Sequence, residues 1–179
     1  MRKVAVIVAT LAASVVVSLL IVKRDVLPYA PQQPILFSHK AHAGDNQIPC
    51  LYCHSYATKS PVAGVQSVQK CMGCHTIITG TTKDTINGST YQEEIKKLRD
   101  YWERKEPIPW IRVHKLPEHA HFNHKRHILY KKDEIKCQTC HGEVEKMDVV
   151  ERVSSLQMGW CITCHKEKEA SRDCLTCHH

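Results

Sequence analysis

Aromatic side chains are scarce in this 179-residue chain: two phenylalanines, three tryptophans and six tyrosines, 6 % of the sequence. So little bulk leaves a thin apolar core for the length and excludes a fold held together by its own side chains alone. No phosphate-binding glycine loop, acid–base constellation or Ser/His/Asp spacing is present, so the familiar catalytic arrangements are missing. No cysteine is left over either. The ten fall as Cys50/Cys53, Cys71/Cys74, Cys137/Cys140, Cys161/Cys164 and Cys174/Cys177, every pair spaced C-x-x-C. A histidine follows each pair directly: His54, His75, His141, His165 and His178.

C-x-x-C-H is the signature of covalent c-type haem attachment. Two thioethers fix the porphyrin edge, and the histidine falls beneath the iron as its proximal ligand. Zinc held between two C-x-x-C pairs is the competing reading. It fails on the odd number of pairs and leaves the following histidine unexplained. The chain therefore predicts five covalently bound haem c groups, whose porphyrins supply apolar surface that the side chains lack. The apo-chain is not expected to fold.

The formal charge of +7 overstates the basicity of such a protein. Two propionates per haem and one positive charge per ferric core bring it to about +2 oxidised and about −3 reduced. The lysines then read as partners of propionates and water, and a nucleic-acid surface is excluded.

Val4 to Val22 carries no charge and follows Arg2-Lys3. Nineteen helical residues span about 28 Å, enough for the hydrocarbon core of a bilayer. A cleaved signal peptide would have a shorter apolar run and a small-x-small site. Here the run ends in Lys23-Arg24-Asp25, and Ala30 is followed by Pro31. The expectation is an uncleaved anchor over residues 1–25. Covalent haem is assembled outside the cytoplasm, so the remainder faces the periplasm or outer surface of the cytoplasmic (inner) membrane.

Residues 26–88 then form a dihaem module, opening with the proline-rich stalk Leu27–Pro34 and closing with a Thr/Gly/Asn-rich loop over Thr76–Gly88. Residues 89–118 form a helix and an extended linker. Ser89–Glu106 reads as helix: Thr90 and Glu93 make a capping box, Tyr91, Ile95, Leu98 and Trp102 share one face, and Pro107 stops it. Pro107 and Pro109 keep the segment to His114 extended. Residues 119–179 form a trihaem module.

The two modules open alike. Phe37-x-His39-Lys40-x-His42 precedes the first haem cysteines, and Phe122-x-His124-Lys125-x-His127 precedes the third pair. Phe37 and Phe122 are the two phenylalanines of the chain, which argues for an internal repeat of a haem-binding unit. His39, His42, His124 and His127 are the expected distal ligands, each i,i+3 pair reaching two different haems from one helical turn. His114 is the expected fifth. His119 and His121 read as propionate partners or surface residues and His179 as a terminal residue. Met158 is a packing methionine or an alternative ligand. Eight spare histidines for five irons imply full six-coordination, which suits electron transfer, whereas a haem enzyme needs an open iron position.

F-x-H-x-x-H ahead of C-x-x-C-H resembles the class III multihaem cytochromes c of the c3 and c7 type. The segment Pro109-Trp110-Ile111-Arg112-Val113-His114-x-Leu116-Pro117 runs into the second repeat. With Met158-Gly159-Trp160-Cys161, five sites and one anchor, it is similar to the pentahaem cytochrome c subunits of alternative complex III. A hexahaem relative in the quinone reductase complex of sulfate reducers shares these motifs with one haem more. The resemblance implies a mainly α fold with much irregular structure, a class III organisation around five haems, plus one N-terminal transmembrane helix. It also implies partners: an iron–sulfur subunit, integral-membrane quinol-binding subunits, and a monohaem cytochrome c or terminal oxidase downstream. The chain would then be no enzyme by itself but the electron-transfer subunit of a quinol:acceptor oxidoreductase complex. Two alternatives stand beside this: a membrane-anchored quinol dehydrogenase feeding a periplasmic reductase, and a multihaem reductase.

Overall fold

The computed structural model describes residues 3, 8, 10–18, 28–131 and 134–179. The expected anchor lies largely outside the described residues. Residues 10–18 are helical and exposed, and among the described residues no helix is long and apolar enough to cross a membrane. The rest is short helices joined by irregular chain, as the sequence led us to expect. The α-helices are α1 (Cys50–Cys53), α2 (Val68–His75), α3 (Tyr91–Arg104), α4 (His124–Ile128), α5 (Cys137–His141) and α6 (Met158–Glu167). A π-helical turn covers Lys40–Asp45, and 3-10 turns cover Val144–Lys146 and Cys174–Thr176.

Helix α3 carries both halves of its capping box. The Glu93 amide donates to Thr90 Oγ1 at 3.2 Å, and the Thr90 amide donates to Glu93 Oε2 at 2.8 Å. Its ends differ from expectation. Ser89 and Thr90 belong to strand β2 (Ser89–Thr90), paired antiparallel with β1 (Thr85–Ile86) around Asn87-Gly88. Both turn residues have positive φ, 47° and 83°, the arrangement that makes Asn-Gly favourable in a two-residue hairpin. The expected Thr76–Gly88 loop therefore holds one strand and the turn. At the other end the helix stops at Arg104, with Lys105 in the left-handed region, before Pro107 is reached.

The face that α3 buries is also rotated from the expected one. Glu94 and Leu98 are buried and Tyr101 half-buried, while Trp102 is exposed. Leu98 joins Ile35, Val68 and Met72 in the main apolar cluster, with Cys71, Tyr101, Ile108 and Trp110 packed against it. Glu94 explains the rotation. At 3 % exposure it accepts a hydrogen bond from the Leu36 amide at 2.7 Å and pairs with Lys97. That contact clamps the segment before Phe37 onto α3 and so aims the first repeat.

The two cysteine-rich halves interlock. The Lys40 amide donates to the Met147 carbonyl at 2.9 Å, and Ser38 Oγ donates to Asp148 Oδ1 at 2.7 Å. A Cβ at Gly44 would collide with the Glu145 carbonyl, so the turn after His42 passes close against the second half. From the other side, the amides of His124 and Lys125 donate to the carbonyls of Pro61 and Ser60.

Burial pushes the Glu94 carboxyl up, but hydrogen bonds from Lys97, Ser89 and the Leu36 amide hold it below the usual carboxylate range. Its contribution is therefore present at neutral pH and lost as pH falls through the depressed folded value. Glu94→Ala leaves the half-buried Leu36 amide unpaired and should cost about 1–3 kcal/mol. Denaturant titration of the haem-loaded chain at pH 7, followed by Soret absorbance, checks this; an unchanged midpoint would contradict it.

Candidate haem-attachment sites

Each C-x-x-C-H begins in a helical turn: α1, the end of α2, α5, the middle of α6, and the 3-10 turn at Cys174. Helical geometry puts residues i and i+3 on one side, so each turn presents two thiols together with an imidazole beside them. None of the ten cysteines forms a disulfide, and among the described residues no three His, Cys, Asp or Glu side chains are grouped to hold a metal ion.

In four of the five pairs the two thiols are not placed alike. Cys53, Cys71, Cys140, Cys161, Cys164 and Cys177 are half-buried, whereas Cys50, Cys74, Cys137 and Cys174 are exposed. The contrast is plainest on α2. There Cys71 packs against the main apolar cluster and its thiol donates to the Ser67 carbonyl at 3.7 Å. Cys74, three residues on, is exposed and has no bonded side-chain partner among the described residues. Only its backbone is engaged: the Cys74 carbonyl accepts from the Ile77 and Ile78 amides, which end the helix and leave Ile77 beside it 85 % exposed. Cys74, an expected attachment residue, thus lies at the surface, as Cys50, Cys137 and Cys174 do. Its assignment rests on the C-x-x-C-H spacing and on its turn-mates Cys71 and His75. The physical reason is that α2 buries Val68 and Met72, and position 74 falls past the edge of that face.

The imidazoles are held in one tautomer. His54 Nδ1 donates to the Gly64 carbonyl at 2.7 Å, His75 to Ile78 at 3.0 Å, His165 to Ser171 at 2.6 Å and His178 to His119 at 2.7 Å. On the repeats, His42 donates to Ser38 at 2.7 Å, His127 to Asn123 at 2.8 Å and His124 to Pro61 at 2.8 Å. Because a carbonyl can only accept, the proton must sit on Nδ1. The Nε2 lone pair is left free, which is the arrangement of a metal-ligating histidine with its outer hydrogen bond in place.

The two F-x-H-x-x-H copies repeat each other in detail. Phe37 stacks on His42 (4.3 Å, 22°) and meets His39 edge-on (4.8 Å, 80°). Phe122 stacks on His127 (4.1 Å, 28°) and meets His124 edge-on (4.9 Å, 85°). In each turn the second residue of the motif caps the helix start: Ser38 Oγ accepts from the Ala41 amide and Asn123 Oδ1 from the Arg126 amide. The phenylalanine thus serves as a ring spacer that fixes both imidazoles at once.

Two imidazoles sharing one metal, with bonds of about 2 Å, have ring centroids about 6–6.5 Å apart. His42 and His75 stand 6.0 Å apart, His124 and His141 6.4 Å, and His127 and His165 6.0 Å. His119 and His178 stand 5.6 Å apart. His39 is the remaining repeat histidine. Its Nδ1 is buried without a hydrogen-bond partner, and burial followed by the nearby His54 and His42 brings its pKa down to about 4. His114 is placed differently. Its ring meets His141 edge-on at 4.3 Å, too close for a metal between them, and its Nε2 is buried and unpartnered. His121 and His179 stack on each other at 4.5 Å. Met158 is 65 % exposed. Counting ligands was the sole sequence signal that touched His119, and it could not choose among the histidines outside the repeats.

Electrostatics favour neutral imidazoles at the most enclosed positions. Burial, then crowding by His114, His124, His54 and His39, lowers His141 to about 4. Burial also holds His42 and His127 below their ordinary value. Neutral imidazole is the form that donates a lone pair to a metal.

Apolar side chains lie exposed beside the attachment sites: Leu51, Tyr52, Val62, Val65, Ile77 and Leu175. These apolar surfaces suit covering by porphyrin.

A known family and a known protein resemble this chain. The model of the class III cytochrome C family matches residues 19–99, which take in the first repeat and the first two C-x-x-C-H sites. The multiheme cytochrome c subunit of menaquinone reductase from Nitratidesulfovibrio vulgaris is 25 % identical over 171 residues, covering 82 % of this chain and 77 % of that protein. Both similarities support a multihaem c-type cytochrome with covalently bound haem.

With so little polypeptide core, folding should depend on haem attachment. Chain produced without cytochrome c maturation is expected to lack stable helical signal in far-UV circular dichroism and to be digested rapidly by protease. A protease-resistant, helical apo-chain would contradict this.

Proposed function

We propose that this chain is the electron-transfer subunit of a quinone-linked membrane complex, carrying five haems whose irons all have two histidine ligands, and is not an enzyme by itself. The observation that carries the reading is the set of imidazole pairs at 5.6–6.4 Å, in each of which at least one ring has its Nδ1 proton fixed on a backbone carbonyl. Bound haem c supplies a reversible one-electron iron couple at such a site. The paired imidazoles would hold such a haem from both sides, leaving no coordination place for a substrate. Seven of the imidazoles also have their outer nitrogen fixed on a backbone carbonyl, so those ligands would need to move little between oxidation states.

The ligand set we propose pairs His42 with His75, His39 with His54, His124 with His141, His127 with His165, and His119 with His178. The pairing of His39 with His54 follows from the repeat, since His124 faces the first C-x-x-C-H histidine after its own motif. His114 stays outside the ligand set, against the side of His141. Bis-histidine ligation lies on the low-potential side of His/Met ligation, suited to exchange with a quinone pool or an iron–sulfur centre.

In the first direction of flow, electrons released from quinol in integral-membrane and iron–sulfur subunits of an alternative complex III-like assembly reach this chain. They then pass to a periplasmic cytochrome or terminal oxidase. A second direction is favoured by the relative's name, menaquinone reductase: electrons would run from a periplasmic donor toward the quinone. Either way the haem domain would stand on the periplasmic or outer side of the cytoplasmic membrane, tethered by the N-terminal apolar run. Potentials above menaquinone along the whole chain would favour oxidation of quinol; potentials stepping down toward it would favour reduction. Co-purification with an iron–sulfur protein and polytopic subunits is expected, and quinol turnover by the isolated chain would overturn the subunit reading.

The ligand set has its own test. His119→Ala should convert one of five low-spin ferric signals to high spin in EPR, with all five haems still attached, and added imidazole should reverse it. His114→Ala should leave five low-spin signals. The opposite pattern would return His114 to the ligand set.

A further inference from the structure

The sites can be ordered in space by what holds each one against the next. His39 and His42 share one short turn, and His42 faces His75. Lys70, next to Cys71, sits over the Tyr52 ring at 3.7 Å from its centroid. The Cys50/Cys53 and Cys71/Cys74 sites are therefore neighbours. Helix α4 does the same in the second half, where His124 faces His141 and His127 faces His165.

The link between halves falls on the first site and not the second. His124 donates through both its amide and Nδ1 to the Pro61 carbonyl, at 3.1 and 2.8 Å. The Gly64 carbonyl of the same loop accepts from His54 Nδ1 at 2.7 Å, so the loop that receives His124 is anchored on the first site. The last link joins α6 to the final turn. The His121 amide donates to the Cys177 carbonyl at 2.8 Å and His178 is held on the His119 carbonyl, while His165 Nδ1 donates to the Ser171 carbonyl at 2.6 Å and Ser171 Oγ meets Thr176 Oγ1 at 2.9 Å. Tyr130 Oη donates to the Lys168 carbonyl at 2.8 Å and ties α4 to the end of α6.

We propose that the five attachment sites lie on one open line in the order Cys71/Cys74, Cys50/Cys53, Cys137/Cys140, Cys161/Cys164, Cys174/Cys177, so that the second site in sequence is a terminus and the first is the bridge between the two halves. This deepens the haem reading above and rests on it. The consequence is specific. Sequence order would make the Cys71/Cys74 site the bridge to the second half. Instead that site sits at an end beside α3, where the Arg99 guanidinium donates to the His75 carbonyl at 2.8 Å. Partners exchange electrons with the line at the Cys71/Cys74 and Cys174/Cys177 ends.

A high-spin ferric iron broadens the EPR signals of its immediate low-spin neighbours, and each low-spin signal can be assigned by the ligand variant that abolishes it. In the haem-loaded chain, His124→Ala is expected to broaden the signals assigned by His39→Ala and His127→Ala and leave the one assigned by His42→Ala sharp. His42→Ala is expected to broaden only the signal assigned by His39→Ala. Broadening of the His42-assigned signal by His124→Ala, with the His39-assigned signal unaffected, overturns the order. Absence of any high-spin signal in His124→Ala would instead overturn the ligand set. If a variant does not mature, iron positions in an electron cryomicroscopy map of the native holoprotein decide the same point. An iron at Cys71/Cys74 nearer to that at Cys137/Cys140 than the one at Cys50/Cys53 is would sink the proposal.

Discussion

A neutral imidazole has one proton to place, and where it goes decides what the ring can do. In this chain seven histidines place it on Nδ1 against a backbone carbonyl. The rest of the site follows from that. The ring can neither flip nor change tautomer without breaking a bond of 2.6–3.0 Å, and Nε2 points where an iron must be. Burial removes the competing cationic form, bringing His39 and His141 to about 4. Backbone geometry therefore sets ligand geometry, and short turns suffice as scaffold because each has only one or two rings to aim.

This explains how so thin a core can support so many sites. Six apolar residues are buried among those described: Ile35, Ala57, Val68, Met72, Ile86 and Leu98. At about 1.5–3 kcal/mol each, they cannot offset the backbone entropy of ordering a chain this long, about 1–2 kcal/mol per residue. What they do is local. Ile35, Val68, Met72 and Leu98 join the segment before the first repeat to α2 and α3, and Glu94 pins that segment through the Leu36 amide. The polypeptide fixes directions, while the cofactors supply bulk.

Much of the site was legible in the sequence because covalent attachment and helical spacing are local. The five C-x-x-C-H turns, the two F-x-H-x-x-H turns and the capping box at Thr90 each depend on residues within a few positions of one another. The shared slot of Phe37 and Phe122 was visible as a repeat, while their contact with both histidines of each motif came only with the structure. What could not be read was set by contacts distant in sequence. The rotation of α3 comes from Glu94 meeting Leu36, 58 residues away. His119 is brought to His178 across 59 residues, where no spacing rule applies. The uneven burial of Cys71 and Cys74 is likewise a tertiary effect, since it depends on which side of α2 meets Ile35 and Leu98. The hairpin at Asn87-Gly88 is a different case: its signal was local and present, but a Thr-rich surrounding masked two strands of two residues each.

The joint between the two halves uses a residue that also serves the site. His124 docks on the Pro61 carbonyl through its amide and through Nδ1. The same ring faces His141 at 6.4 Å. Interface and ligand orientation are thus one set of bonds, and a shift of the second half along the first would swing the imidazole with it. The opposite face is closed by Gly44 against Glu145 and by Ser38 against Asp148, so the turn carrying His42 is fixed by the other half in return. Each half completes the ligand geometry of its partner. Among the described residues the bonds that join the halves and the bonds that aim the imidazoles are therefore shared, so the halves cannot shift without turning the rings.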